Sequence, residues 1–353
     1  MKADNYAETL GELDARTVAA VSGRPLAVID LGAYSARLEI VQVHPDGATE
    51  VLENLSQPLP LGHDVFNRGR IRPASIRLAE RVLLDFAQLM KEYRVEQYRA
   101  IATSAVRESF NRDIFLQRMR HATGLNITTL EEQEEARMIF LSVKKALRKR
   151  HHWTRRNALI FTIGTGSTQL CFMQEGRVTS VDTIRLGTLR LVEEEMESQI
   201  NPRRLQEVVD PFIAGIFSSV DRMASHAHPD RIIAVGAPVR ALTRLDRSQP
   251  ARHVARMTRS RFSALFARVT EMSVAELIKH HGFRDTVAQS LEPCCHMLEN
   301  LFDIVGTDHM LIPMVNTRDA IFEDLFREIC QAEDPFLPEI ISAATSMGDR
   351  FRS

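Results

Sequence analysis

The chain is poor in cysteine, with four residues in 353. No C-x-x-C pair occurs, which excludes a disulfide framework and a zinc knuckle. Cys294 and Cys295 adjoin and precede His296, but they lie in an apolar stretch that a thin buried helix explains without a metal. No run approaches the ~18 consecutive apolar residues of a membrane helix. The N-terminal MKADNYAETLGELDARTVAAV carries Asp4, Glu8, Glu12 and Asp14 where a secretory signal would have an apolar centre. It reads as a short amphipathic helix ahead of the fold, and the chain as cytoplasmic. Neither sign of charge is in excess: 45 Lys and Arg face 46 Asp and Glu, a net charge of −1. No global field therefore draws the protein to nucleic acid or an anionic membrane, and a polyanion would have to be held by local groups.

What is present suits two domains, on the usual prior of about 150 residues each. Leu26-Ala-Val-Ile-Asp30 is a short apolar strand closed by a glycine turn, Ala36–Val43 a second strand with Leu38, Ile40 and Val43 inward, and Glu50–Leu55 a returning third. From Pro73 to Tyr93 apolar residues recur at helical spacing. A strand then runs into Thr103-Ser104, a helix from Arg112 ends at Gly124, a short strand spans Ile127 to Leu130, and a helix runs from Glu134 to about Arg150. The pattern then restarts. Ala158–Ile163 ends in Gly164-Thr-Gly166-Ser-Thr168, and further strands follow from Gln169 and Arg177 across a turn at Glu175-Gly176. The offset is 132 residues, and the repetition is one of topology, with no residue-level repeat visible. After Pro202 the chain reads as mostly helical, apart from strands at Arg231–Val235 and Met310–Val315.

Several segments could carry chemistry. At Asp30-Leu-Gly32 a carboxylate at a strand end and a glycine that admits close backbone approach could place a hydrated Mg²⁺ beside a phosphate, with Ser35 completing the cradle. A plain hairpin turn with a solvated Asp explains the same residues. Gly164-Thr-Gly166-Ser167-Thr168 offers N–H groups and three hydroxyls, again against the alternative of an ordinary hairpin. Thr103-Ser104-Ala-Val-Arg107 sets two hydroxyls at a strand end and an arginine suited to forked phosphate contact, or a helix cap with a surface ion pair. Glu131-Glu-Gln-Glu-Glu135-Ala-Arg137 is acidic at a helix start, where the dipole alone accounts for the charge. The basic run from Lys144-Lys145 to Arg155-Arg156 is a solvated face or the lining of a polyanion channel.

Taken together, these segments resemble the exopolyphosphatase / guanosine pentaphosphate phosphohydrolase (Ppx/GppA) family. The resemblance rests on Ile29-Asp-Leu-Gly-Ala-Tyr-Ser-Ala-Arg-Leu38, Ala102-Thr-Ser-Ala-Val-Arg-Glu-Ser-Phe-Asn111, Glu134-Glu-Ala-Arg137, Thr162-Ile-Gly-Thr-Gly-Ser-Thr-Gln169 and Thr183-Ile-Arg-Leu-Gly-Thr-Leu-Arg-Leu191. It implies an α/β, two-domain actin-like (ribonuclease H-like) fold with an interdomain cleft. The expected divisions are an N-terminal helical extension over 1–24, domain I over 25–137 and domain II over 138–310. A C-terminal strand and helices over 311–353 would then return to domain I or begin a truncated helical domain. The resemblance also implies Mg²⁺-dependent removal of terminal phosphate from polyphosphate or pppGpp, with Glu135 as the base that activates water. Phosphate would be held at Gly32, Ser35, Arg37, Thr103, Ser104, Arg107, Gly164, Gly166, Ser167 and Thr168, and the metal at Asp30.

Departures from the family pattern fall on the second turn. Thr162 and Gln169 stand where the family has Asp and Glu, Thr165 replaces its middle glycine, and Tyr34 replaces the Asn of the first turn. Two fewer carboxylates weaken a site for a hard cation. Gly236-Ala237-Pro238 likewise replaces a Ser-Gly-Thr core. Two functions stay open: a hydrolase with impaired activity, and a degenerate sensor of polyphosphate, alarmone or nucleotide. An ATP-dependent kinase leaves the ATSAVRE and EEAR segments without a use. The expected ligand is a polyphosphate or guanosine pentaphosphate, with no membrane and no nucleic acid partner; a homodimer is compatible with the sequence.

Overall fold

The computed structural model describes residues 13, 15–147, 157–197, 214–216, 218, 220, 228–246 and 253–330. Most of the amphipathic N-terminal segment, most of the basic run and the chain after 330 lie outside them. Two compact units emerge, one made of residues up to Ser142 plus Thr317–Asp334, the other containing Val143–Asn316.

In the first unit, β1 (Pro25–Leu31), β2 (Ser35–Val43) and β3 (Thr49–Pro58) form an antiparallel meander, and β4 (Gln97–Ala102) and β5 (Ile127–Thr129) add parallel to β1. The strand order is β3-β2-β1-β4-β5. β1 is buried on both faces, which is why it reads as an unbroken apolar run. Its Ala27, Ile29 and Leu31 pack with Leu38 and Ile40 of β2. The same core takes in α3 (Pro73–Glu92), whose Ile76, Ala79, Leu83, Phe86 and Met90 follow a 3–4 spacing. Burying one such Leu or Phe contributes about 1.5–3 kcal/mol, so this stripe anchors the helix. Leu38 and Ile40 of β2 face this core while Val43, an odd number of residues further on, is buried on the opposite face, and a β-bulge in the β2–β3 ladder leaves Leu52 of β3 as the extra residue opposite Ile40/Val41. Also in this unit are α1 (Ala15–Val21), α2 (Leu61–Arg68), the one-turn α4 (Ser104–Arg107), α5 (Arg112–Thr123) and α6 (Glu132–Leu147) as far as Ser142, its last residues belonging to the second unit. α5 stops at Gly124 in the left-handed conformation, as expected of that glycine.

In the second unit, β6 (Ala158–Ile163), β7 (Thr168–Gln174) and β8 (Arg177–Ile184) repeat the meander, with a tight Glu175-Gly176 hairpin whose two residues both have positive φ. β9 (Arg231–Val235) and β11 (His309–Pro313) continue parallel to β6, and β10 (Val254–Thr258) closes the edge antiparallel to β11. The order is β10-β11-β9-β6-β7-β8. Helices α7 (Thr188–Glu197), α8 (Ala237–Leu245), α9 (Arg259–Thr270), α10 (Val274–His281) and α11 (Asp285–Val305) belong to this unit. Cys294 and Cys295 are buried in α11, and His296 beside them stacks edge-on against Phe266 at 4.8 Å. The helix therefore accounts for that trio as packing.

The chain then returns to the first unit through α12 (Thr317–Cys330). The strand expected to return with it does not: His309–Pro313 is β11, paired with β9 and β10 of the second sheet. The crossing therefore comes after the strand, between Asn316 and Thr317. Each unit thus carries an antiparallel meander followed by parallel strands, which is the actin-like fold.

Candidate active site

The two glycine turns match residue for residue. In the first, the Gly32 N–H donates to the Ser35 carbonyl at 3.0 Å; in the second, the Gly164 N–H donates to the Ser167 carbonyl at 3.0 Å. Asp30 stands directly across from Arg37, and Thr162 directly across from Gln169. The repetition that the sequence shows only as topology thus extends to register. A charged pair flanks one turn and a neutral pair the other.

In the first unit Asp30 is 4 % exposed and forms an ion pair with Arg37 at 3.6 Å. Burial pushes its carboxyl above the ordinary range, while Arg37 and Arg318 pull it down. Thr103, at the end of β4, donates its N–H to the Leu31 carbonyl at 3.1 Å and so ties the two strand ends together. Its own carbonyl accepts from Val106 and Arg107, which starts α4. Thr103 and Ser104 are buried, and Gly32 and Ser35 half-buried.

That single turn delivers Arg107, whose side chain is only 6 % exposed. Nη1 donates to the Leu130 carbonyl at 2.7 Å and to Glu135 at 3.1 Å. Nη2 and Nε donate to no described residue, and Nε has only Glu132 at 4.0 Å. Buried guanidinium donors without acceptors are costly, so these two nitrogens remain available to an acceptor from outside the described residues. Glu135, on the first turns of α6, has its carboxyl pushed above the ordinary range by burial; Arg107 opposes this, and Asp30 and Glu132 add to it. Asp30, Arg107 and Glu135 therefore form one electrostatic group. Glu132 and the Leu130 carbonyl were not assigned a role from sequence; only the acidic helix start hinted at Glu132.

The second unit holds Gly164, Gly166, Ser167 and Thr168. An added Cβ on Gly164 would lie 2.8 Å from the Ser167 carbonyl oxygen, so the turn needs glycine there. Thr168 is fully buried and donates its hydroxyl to the Leu186 carbonyl at 2.7 Å. The N–H groups of Thr188, Leu189 and Arg190, which open α7, donate to the carbonyls of Gly164 and Thr165. Gly187 presses on the same turn: a Cβ there would meet the Thr165 backbone at 2.3 Å. The sequence shows Gly187 only as part of its LGT segment and gave it no role. At Gly236, φ is +144° and a Cβ would lie 2.4 Å from the Ile163 carbonyl oxygen, so this position requires glycine.

No group of three or more His, Cys, Asp or Glu among the described residues could hold a metal ion. Asp30 is already paired with Arg37, and Thr162 and Gln169 bring no charge. Within the first unit Asp30 alone does not cage a cation; it can supply at most one carboxylate to a Mg²⁺ whose other ligands come from elsewhere.

The model of the Ppx/GppA phosphatase family matches residues 40–328. The chain belongs to the Ppx/GppA phosphatase family. It is 26% identical over 263 residues to exopolyphosphatase 1 of Mycobacterium tuberculosis strain H37Rv, covering 71% of this chain and 74% of that one. It is 26% identical over 169 residues to guanosine-5'-triphosphate,3'-diphosphate pyrophosphatase of Aliivibrio fischeri strain MJ11, covering 47% of this chain and 32% of the relative. Among solved structures, the Aquifex aeolicus member of the family aligns with TM-score 0.69 at 22% identity over 88% of this chain and 99% of that one. An exopolyphosphatase from Cytophaga hutchinsonii aligns with TM-score 0.75 at 17% identity over 86% and 98%. Both likenesses speak for the fold.

Proposed function

We propose that the protein removes the terminal phosphate from inorganic polyphosphate or from a pppGpp-type guanosine pentaphosphate. The observation that carries this reading is Arg107: a buried guanidinium with one nitrogen fixed on Glu135 and two without hydrogen-bond acceptors. A terminal phosphoryl group on Nη2 and Nε would lie beside a carboxylate whose pKa burial raises, the direction that strengthens a general base. Glu135 takes a proton from water as the water oxygen bonds to phosphorus. The bond from phosphorus to the bridging oxygen breaks, and the shortened chain leaves with that electron pair. Arg107 draws off charge on the phosphoryl oxygens. Gly32, Ser35, Arg37, Thr103 and Ser104 supply the remaining contacts of this unit. When Mg²⁺ is bound, Asp30 would hold it, and it neutralises charge on the phosphate chain. Gly164, Gly166, Ser167 and Thr168 are candidate phosphate contacts of their own unit. Two observations fit a cytoplasmic location: among the described residues all four cysteines are free and buried, and no helix is long and apolar enough to cross a membrane.

The neutral Thr162–Gln169 pair favours a second function, ligand sensing without turnover. Phosphate release from each substrate, with and without Mg²⁺ and in ¹⁸O-labelled water, separates the two. Release with label in the freed phosphate supports hydrolysis. Calorimetric binding without release supports the sensor, and neither binding nor release rejects both.

A further inference from the structure

We propose that Asp324 on α12 is a positioning residue for Glu135, acting through Arg137. This rests on the hydrolase reading above. Glu135 and Arg137 are two positions apart on α6, so they leave the helix on nearly opposite sides. Each meets a partner of opposite charge. Glu135 is held by Arg107 at 3.1 Å, and Arg137 by Asp324 at 3.3 Å. The helix is therefore pinned against rotation by two guanidinium–carboxylate pairs of reversed polarity.

Asp324 does more than hold Arg137. Its other oxygen lies 3.3 Å from Arg99 of β4, and Arg99 also reaches Glu328, one helical turn further along α12, at 3.0 Å. β4 runs on into Thr103 and α4, the turn that carries Arg107. One carboxylate thus fixes both the helix bearing the base and the strand leading to the arginine. Arg137 is 10 % and Asp324 17 % exposed, so the pair is shielded enough to hold geometry and not merely to decorate a surface. α12 fastens the sheet at a second point. Its buried Arg318 pairs with Glu39 of β2 at 2.5 Å and donates to Asn54 of β3 at 2.7 Å. Both anchors come from a segment about 180 residues beyond α6, so the return of the chain completes the site.

The test uses the full chain with Asp324→Ala, Asp324→Asn and Asp324→Glu. A misplaced base costs turnover, not binding, so kcat should fall about 10- to 100-fold in D324A while KM stays within about threefold. D324E should recover most of the loss, and D324N, isosteric but uncharged, covers the case in which D324A does not fold. Crystal structures of the variants should show the Arg107–Glu135 contact lengthened or lost. Unchanged kcat in folded D324N and D324A, or an Arg107–Glu135 contact identical to wild type, overturns the positioning role. A wild type that releases no phosphate overturns the hydrolase reading alone, and the crystallographic comparison still decides the role of Asp324.

Discussion

Glu135 is stabilised by Arg107 yet held above its ordinary pKa, because burial outweighs the arginine. The unfolded chain has no such burden. The stability present below the ordinary carboxylate range is therefore lost as pH rises through the raised folded value. Glu135→Gln removes that loss while its amide oxygen still accepts from Arg107. E135Q should melt higher than wild type near pH 8, with the gap closing toward about pH 4. Thermal unfolding against pH checks this, and a gap that widens at acid pH contradicts it. Arg107→Met, in an E135Q background that prevents turnover, should weaken polyphosphate binding about 10- to 100-fold, the worth of one charged hydrogen bond at about 1.5–3 kcal/mol. Equal affinity by calorimetry would remove Arg107 from the phosphate site.

Among the elements, the glycine turns carry the functional geometry, and the second depends on residues that clamp it from elsewhere. Gly187→Ala forces a Cβ into the Thr165 backbone, so it should destabilise by about 1–3 kcal/mol, the usual cost of overpacking a close contact. Chemical denaturation measures it, and a neutral result would show that the turn yields easily. Thr162→Asp with Gln169→Glu places two carboxylates across from each other, one at buried Gln169 and one at half-buried Thr162. Like charges there should lower the melting temperature in chelator, and added Mg²⁺ should restore it; no Mg²⁺-dependent recovery would show that this turn cannot hold a metal. Much of this was legible in sequence because it is local: the strands ending in Asp30 and Ile163, the helix stripe from Ile76 to Met90, the cap at Gly124. α2 escaped because an eight-residue helix beginning with Leu61-Gly62 between prolines shows too little periodicity, and α4 because one turn has none. β10 and the sheet membership of β11 escaped because strand pairing is non-local. The clamp of Gly187 on Thr165 and the hold of Asp324 on Arg137 are likewise contacts that no spacing announces.

At the scale of the whole molecule, each unit carries a meander followed by parallel strands, and each meander opens with the same glycine turn. The charged chemistry has settled on one of them. Asp30, Arg37, Arg107 and Glu135 all lie in the first unit, which the chain completes only when α12 returns to it. The central claim is that Arg107 and Glu135 form a hydrolytic centre. Phosphate release from polyphosphate and from pppGpp by wild type and E135Q tests it most directly. Release by the wild type, with kcat reduced at least about 100-fold in E135Q as expected for loss of a general base, is the predicted result. Equal release by the two proteins, or none by the wild type from either substrate, would contradict it.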